Sequence, residues 1–107
     1  MYEIAYITAS SKKEAEVIAR TLLERKLVAC VNIHEVSSLY WWKDRVESAG
    51  EFALICKTTS GKREDIINLV KEKHSYENPC VVFTEIRGGS EDYLNWVKEN
   101  TTGVKAP

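Results

Sequence analysis

Residues 38–43 read Ser-Leu-Tyr-Trp-Trp-Lys, with four large apolar or aromatic side chains in succession near the middle of the chain. Successive side chains of a strand alternate faces, so Tyr40 and Trp42 point one way while Leu39 and Trp41 point the other. Both faces are then apolar, and both need cover. A chain of 107 residues and 12.2 kDa is one domain with a genuine core but little surplus to bury such a strand twice. The second cover for a strand of this kind in a small domain comes from another copy of the chain or from a ligand. The sequence thus predicts a single domain over 1–107 and a working unit larger than one chain.

Charge narrows the function classes. Fifteen basic residues nearly cancel sixteen acidic ones, for a formal net charge of -1, and neither sign forms a long block. Bulk electrostatics therefore gives no reason to expect a nucleic-acid partner. The opening Tyr-Glu-Ile-Ala-Tyr-Ile-Thr run is too short for a membrane span and lacks the basic leader of a secretory signal, so a cytoplasmic protein without a membrane partner is expected. Cys30, Cys56 and Cys80 are odd in number, widely spaced and without a Cys-x-x-Cys pair, a pattern of reduced thiols rather than of a disulfide framework or a zinc finger.

Hydrophobic periodicity outlines the elements. Residues 2–8 set Tyr2, Ile4 and Tyr6 against Glu3, Ala5 and Ile7 and read as a central strand. Ser11 with Glu14 three residues on is a capping-box signature, and Ala15, Ile18, Ala19, Leu22, Leu23 and Lys26 follow at helical spacing, predicting a helix over 12–26. Residues 27–40 form a long extended stretch, polarity rises over 43–50, and 51–58 return to strand character: a long hairpin. Ile66, Ile67, Leu69, Val70 and His74 mark a second helix, 76–79 a turn, 80–87 another strand, and Ser90 caps a short helix carrying Tyr93, Leu94, Trp96 and Val97. The tail after Asn100 has no periodicity and reads as a frayed end or a short accessory strand.

Strand, helix, strand, strand, helix, strand is the split βαβ order of a ferredoxin-like α+β fold, here with a long β-hairpin and an extra C-terminal helix. Right-handed crossovers put the first two helices on one sheet face, leaving the other to solvent, a ligand or a partner. Strands with apolar residues at both parities predict a homo-oligomer packed sheet to sheet.

The residues with chemistry each have a plain structural use beside the functional one. The three cysteines lie on three expected strands, where thiols can converge on a soft metal such as Cu(I), though a strand cysteine is more commonly a small core residue. His34, among polar neighbours, reads as a solvated surface histidine. His74 ends a helix and leads into Ser75-Tyr76-Glu77-Asn78-Pro79, a turn that presents an imidazole with a phenol; it is equally a favourable partner for the helix dipole. Lys57, at the end of an apolar strand, is placed either to bind an anion or to reach water along its stem. No catalytic triad order, phosphate-cradling glycine loop or paired-carboxylate pattern is present, so no enzyme is expected.

Ala29-Cys30-Val31-Asn32, Ser38-Leu39-Tyr40-x-Trp42, Lys57-Thr58, His74-x-Tyr76-x-x-Pro79 and Tyr93-Leu94-x-Trp96, in that order and spacing, closely resemble the CutA-type divalent-cation-tolerance family over essentially the whole chain. The resemblance implies a ferredoxin-like protomer in a tight homotrimer, with hairpin arms reaching to neighbours. It also implies a role in tolerance to copper and other divalent cations. By similarity Tyr40, Trp42, Lys57, His74, Tyr76, Tyr93 and Trp96 would gather around clefts between subunits, with His74 as the matched metal ligand. Some members carry a cysteine in place of Ile7 and a histidine in place of Lys73; the family usually has proline where this chain has Ser75 and glycine where it has Asp44. Two functions follow as expectations. One is a metal-binding or metal-responsive trimer that holds copper or another divalent cation and needs no other cofactor. The other is a signalling or scaffold trimer, like the PII regulators in architecture, binding a small anionic ligand in its clefts.

Overall fold

The computed structural model describes residues 1–102, and the expected single-domain boundary at 107 therefore extends past the described residues. Seven elements run β1 (Tyr2–Ala9), α1 (Lys12–Glu24), β2 (Cys30–Trp42), β3 (Arg45–Thr59), α2 (Arg63–Lys73), β4 (Val81–Ile86) and α3 (Glu91–Glu99). The sheet is antiparallel in the order β2-β3-β1-β4, so the ferredoxin-like α+β arrangement expected from the element order is the one the chain adopts, extra helix included.

Parity in β1 decides which face is the core. Ala5 and Ile7 are fully buried, and across the ladder they meet Cys56 and Leu54 of β3, which are also fully buried. Ala15, Ile18 and Leu22 of α1 and Ile66, Leu69 and Val70 of α2 close over them in one cluster, so the first two helices do share a face. Glu3 lies in the same parity and is 1 % exposed. Arg63, at the start of α2, meets it in a bidentate ion pair, with Nε donating at 2.9 and 3.1 Å. That pairing outweighs burial and holds the Glu3 carboxyl below its usual range.

The opposite face carries Tyr2, Ile4 and Tyr6, all half-buried, with Cys30 and Lys57 in the row of Ile4 and Asn32, Ile55 and Val82 in the row of Tyr6. The C-terminal helix covers part of this face. Val97 is fully buried, and the Thr101 hydroxyl lies 3.2 Å from that of Thr59 on β3. Thr101 is thus tied down rather than frayed; residues 103–107 of the expected tail lie outside the described residues.

Several boundaries differ from the sequence reading; β4, expected over 80–87, runs Val81–Ile86. Helix α1 stops at Glu24 rather than Lys26, because Lys26 adopts φ 59 and the N–H groups of Lys26 and Leu27 return to the carbonyls of Leu23 and Leu22. These are the two bonds of a Schellman stop, built without its usual glycine. The ladder of β2 begins at Cys30, not Leu27. The hairpin is longer than polarity suggested. Only Lys43 and Asp44 turn, both at positive φ (50 and 65), and Arg45–Gly50 are already paired strand. A two-residue turn with both residues left-handed matches the twist of its strands, but Lys-Asp lacks the Asn-Gly signature that would have marked it.

Candidate functional site

The sequence expectation was one cluster of seven residues. Within one chain they form two groups. Tyr40 and Trp42, from the end of β2, face Tyr76 of the α2–β4 loop across an open cavity of about 750 Å³, with Tyr6 and Glu51 on its sheet side. Lys57, Tyr93 and Trp96 lie elsewhere on the face: the Lys57 ammonium bonds Asn32 and sits 3.8 Å from the Cys30 sulfur, and Tyr93 packs on Trp96 with ring centroids 5.5 Å apart. Five residues of β3 lie between Glu51 and Lys57, about 20 Å at strand rise, while Tyr6 on the cavity's sheet side is one same-face row from Lys57.

The imidazole of His74 faces inward. Its side chain is fully buried and its ring lies 4.7 Å from that of Tyr76. Nε2–H donates to the Thr8 carbonyl at 2.6 Å, and Nδ1 accepts the Tyr76 N–H at 3.1 Å. Thr8 lies past the last β1–β4 pair, Ile7 with Val81, so its carbonyl needs a partner from elsewhere. With both ring nitrogens used, the residue put forward as a metal ligand has no free lone pair as folded.

The loop is pinned from the other side by Glu14. Its Oε1 accepts the N–H and hydroxyl of Ser10 at 2.8 and 2.9 Å, and Oε2 accepts the Ser75 N–H at 2.8 Å. Burial alone would raise this carboxyl; the hydrogen bonds from Ser10 and Ser75 prevail and hold it at about 2. Ser11 caps the helix as expected, accepting the Glu14 N–H at 3.1 Å, but the glutamate reaches Ser10 and across to Ser75 instead of closing a box on Ser11. Ser75 supplies an N–H that a proline at this position would lack.

Glu51 was not singled out by the sequence. It is 6 % exposed, and its Oε2 accepts the Tyr76 hydroxyl at 3.0 Å. Burial, and then this bond, push the Tyr76 phenol up to about 12, so it remains a donor. An acidic residue at a strand position otherwise framed by apolar neighbours was the available signal.

The cysteines do not converge. Cys56 points into the core, fully buried, and burial pushes its thiol up to about 12. Cys30 lies on the opposite face beside Lys57 and Tyr93, and Cys80 precedes β4 rather than lying on it, close to Thr8 and Glu51. Among the described residues no three His, Cys, Asp or Glu side chains are grouped to hold a metal ion. His34 is exposed, as its polar neighbours suggested.

The family model for the CutA1 divalent ion tolerance protein matches residues 3–100. The divalent-cation tolerance protein CutA of Archaeoglobus fulgidus is 46 % identical over 99 residues, 92 % of this chain and 97 % of that one. Its structure, described as that of a periplasmic protein, superimposes with a TM-score of 0.93 over 95 % of this chain and 100 % of that chain, at 45 % identity. The Thermus thermophilus divalent cation tolerance protein is 38 % identical with a TM-score of 0.92, covering 95 % and 100 % of the two chains. Matched along nearly its whole length in both sequence and fold, the chain belongs to the CutA1 divalent-ion tolerance family.

Proposed function

We propose that this protein serves divalent-cation tolerance without catalysing a reaction, as a homotrimer whose clefts are each completed by two copies. The observation that carries this reading is the division of the matched residues into two groups on one chain, Tyr40, Trp42 and Tyr76 at the cavity and Lys57, Tyr93 and Trp96 beside Asn32 and Cys30, on a sheet face that its own helices cover only in part. A neighbouring copy that lays the Lys57 and Tyr93 group of one protomer against the aromatic cavity of the next would unite them. Leu39 and Trp41, 77 % and 74 % exposed near the tip of the hairpin, supply apolar surface for that contact.

Copper is the metal we assign, as a weakly held ion rather than a resident cofactor. Direct coordination by His74 through Nδ1 requires release of the Tyr76 N–H, while Nε2–H can keep the Thr8 carbonyl, and a lone imidazole gives no selectivity among divalent ions. The second reading, a small anion in the cleft, is favoured by one observation: the partners of the Lys57 ammonium are neutral, Asn32 and Cys30, and not a carboxylate. Three unpaired thiols suit a reducing cytosol; cell fractionation tests that placement, and a periplasmic pool would overturn it.

Native mass spectrometry of the reduced protein titrated with copper, zinc competing, tests assembly and metal together. Trimers with weak adducts that zinc displaces and that survive His74→Ala are expected. A monomer at micromolar concentration refutes the assembly. Three copper ions per trimer that zinc cannot displace, lost in His74→Ala, would establish His74 as a ligand. Loss of phosphate-induced thermal stabilisation in Lys57→Ala would support the anion reading, and an unchanged shift would end it.

A further inference from the structure

Two charges on β3 lie without an opposite charge. Strand alternation puts Glu51, Ala53, Ile55 and Lys57 on the open sheet face, while Phe52, Leu54 and Cys56 turn to the core. Glu51 is 6 % exposed, and its hydrogen-bond partner is the Tyr76 hydroxyl. Lys57 is half-buried, and its ammonium is held by Asn32 and Cys30. Among the described residues neither is in an ion pair. Burying a charge is costly unless an opposite charge meets it, and a partner chain laid on this face takes both groups further from water.

Within one chain the two do not meet. At about 20 Å along the strand, the carboxylate is beyond the reach of a lysine stem on the same β3. A ring of identical chains, however, repeats one heterologous contact, in which one patch of each copy meets a different patch of the next. A face with an ammonium at one end and a carboxylate at the other is complementary to itself in that way. We infer that in the homotrimer proposed above, on which this inference rests, the Lys57 ammonium of each protomer pairs with Glu51 of the partner subunit. Each group has capacity left for the pair. An ammonium has N–H donors beyond the one given to Asn32, and a carboxylate accepts about four hydrogen bonds, so the Tyr76 hydroxyl keeps its place. Repeated around the ring, the pair fixes which patch meets which. A small anion that reaches Lys57 in the cleft then has to displace a carboxylate.

A double-mutant cycle on subunit affinity tests the pair, read by sedimentation velocity over a dilution series of the full-length wild type, Lys57→Met, Glu51→Gln and the double variant. Both replacements are neutral and close in size, Gln still accepts the Tyr76 hydroxyl, and circular dichroism checks that each chain is folded. Each single change should weaken the trimer. The two together should cost less than the sum of the separate losses, by about tenfold or more in dissociation constant for each contact, the coupling of a close interfacial charge pair. Lys57→Glu, which sets acid against acid, should give folded monomers, and adding Glu51→Lys to it should restore the trimer; where that swapped chain does not fold, the neutral cycle decides. Strictly additive losses in folded variants, or Lys57→Glu trimers as tight as those of the wild type, would overturn the pair and leave the trimer standing. A wild type that is monomeric at micromolar concentration would overturn both.

Discussion

Replacing Glu14 by Gln tests whether one carboxylate anchors the loop behind the cavity. The side chain is 13 % exposed and accepts three hydrogen bonds from Ser10 and Ser75. A carboxyl held at about 2 instead of the usual 4.5 is worth at most about 3.4 kcal/mol, at about 1.4 kcal/mol per tenfold change in acidity. Water at the rim reduces that, and about 1–2 kcal/mol is expected. The sign follows from linkage: the folded-state value lies below the unfolded one, so the stabilisation is complete above about pH 4.5 and is lost as pH falls toward 2. Urea unfolding of both proteins at pH 7 and at pH 2.5 reads this directly. The Gln variant should be weaker by about 1–2 kcal/mol at pH 7, with most of the gap gone at pH 2.5. A gap of the same size at both values would refute the ionised anchor and leave only lost packing. Ser75→Pro, which deletes the N–H given to Oε2 but leaves the carboxylate, should reproduce part of the loss at pH 7.

Three other expectations are independent of the anchor. Trp41→Asp should dissociate the proposed trimer, read by sedimentation velocity, while far-ultraviolet circular dichroism stays folded, since the side chain is 74 % exposed on one chain; trimers persisting at micromolar concentration would show that Trp41 is not in the contact. Lys26→Gly should raise stability by about 1 kcal/mol in urea melts by relieving the left-handed stop at φ 59. Cys56, buried and pushed up to about 12, should resist iodoacetamide at pH 8 in the native protein and react in urea, as read by peptide mass mapping.

The fold was legible because its signals are local and redundant. Alternation in β1, the Ser11 cap and spacing of α1, and the Ser90 cap of α3 each identify an element without knowledge of the rest. Boundaries were missed where an uncommon residue does the work of a common one: Lys26 stands where glycine usually ends a helix, and Lys43-Asp44 where Asn-Gly usually turns a hairpin. The two-sided strands were also read correctly as apolar on both faces, but parity does not say what covers the second face. Part of that cover is α3, whose Val97 is fully buried.

The candidate site was legible only as a set of residue types, since its geometry rests on pairs far apart in sequence. Glu14 reads locally as half of a capping box, yet its bond to Ser75 spans 61 residues. His74 reads as an available imidazole, yet its partner Thr8 lies 66 residues away. Both contacts hold the same short segment, and that segment delivers the Tyr76 hydroxyl to Glu51 across 25 residues. Glu14, Ser75, His74, Tyr76 and Glu51 therefore form one continuous path from the start of α1 to the sheet side of the cavity. Along it, His74 acts as a brace between Thr8 and the Tyr76 backbone, which is why a residue that looks like a ligand in the sequence has its nitrogens turned away from solvent. A metal able to claim the Nδ1 lone pair would have to displace the Tyr76 N–H, even if Nε2–H kept the Thr8 carbonyl. Metal binding at His74 and an intact Tyr76–Glu51 wall in the cavity are thus competing states of the same loop.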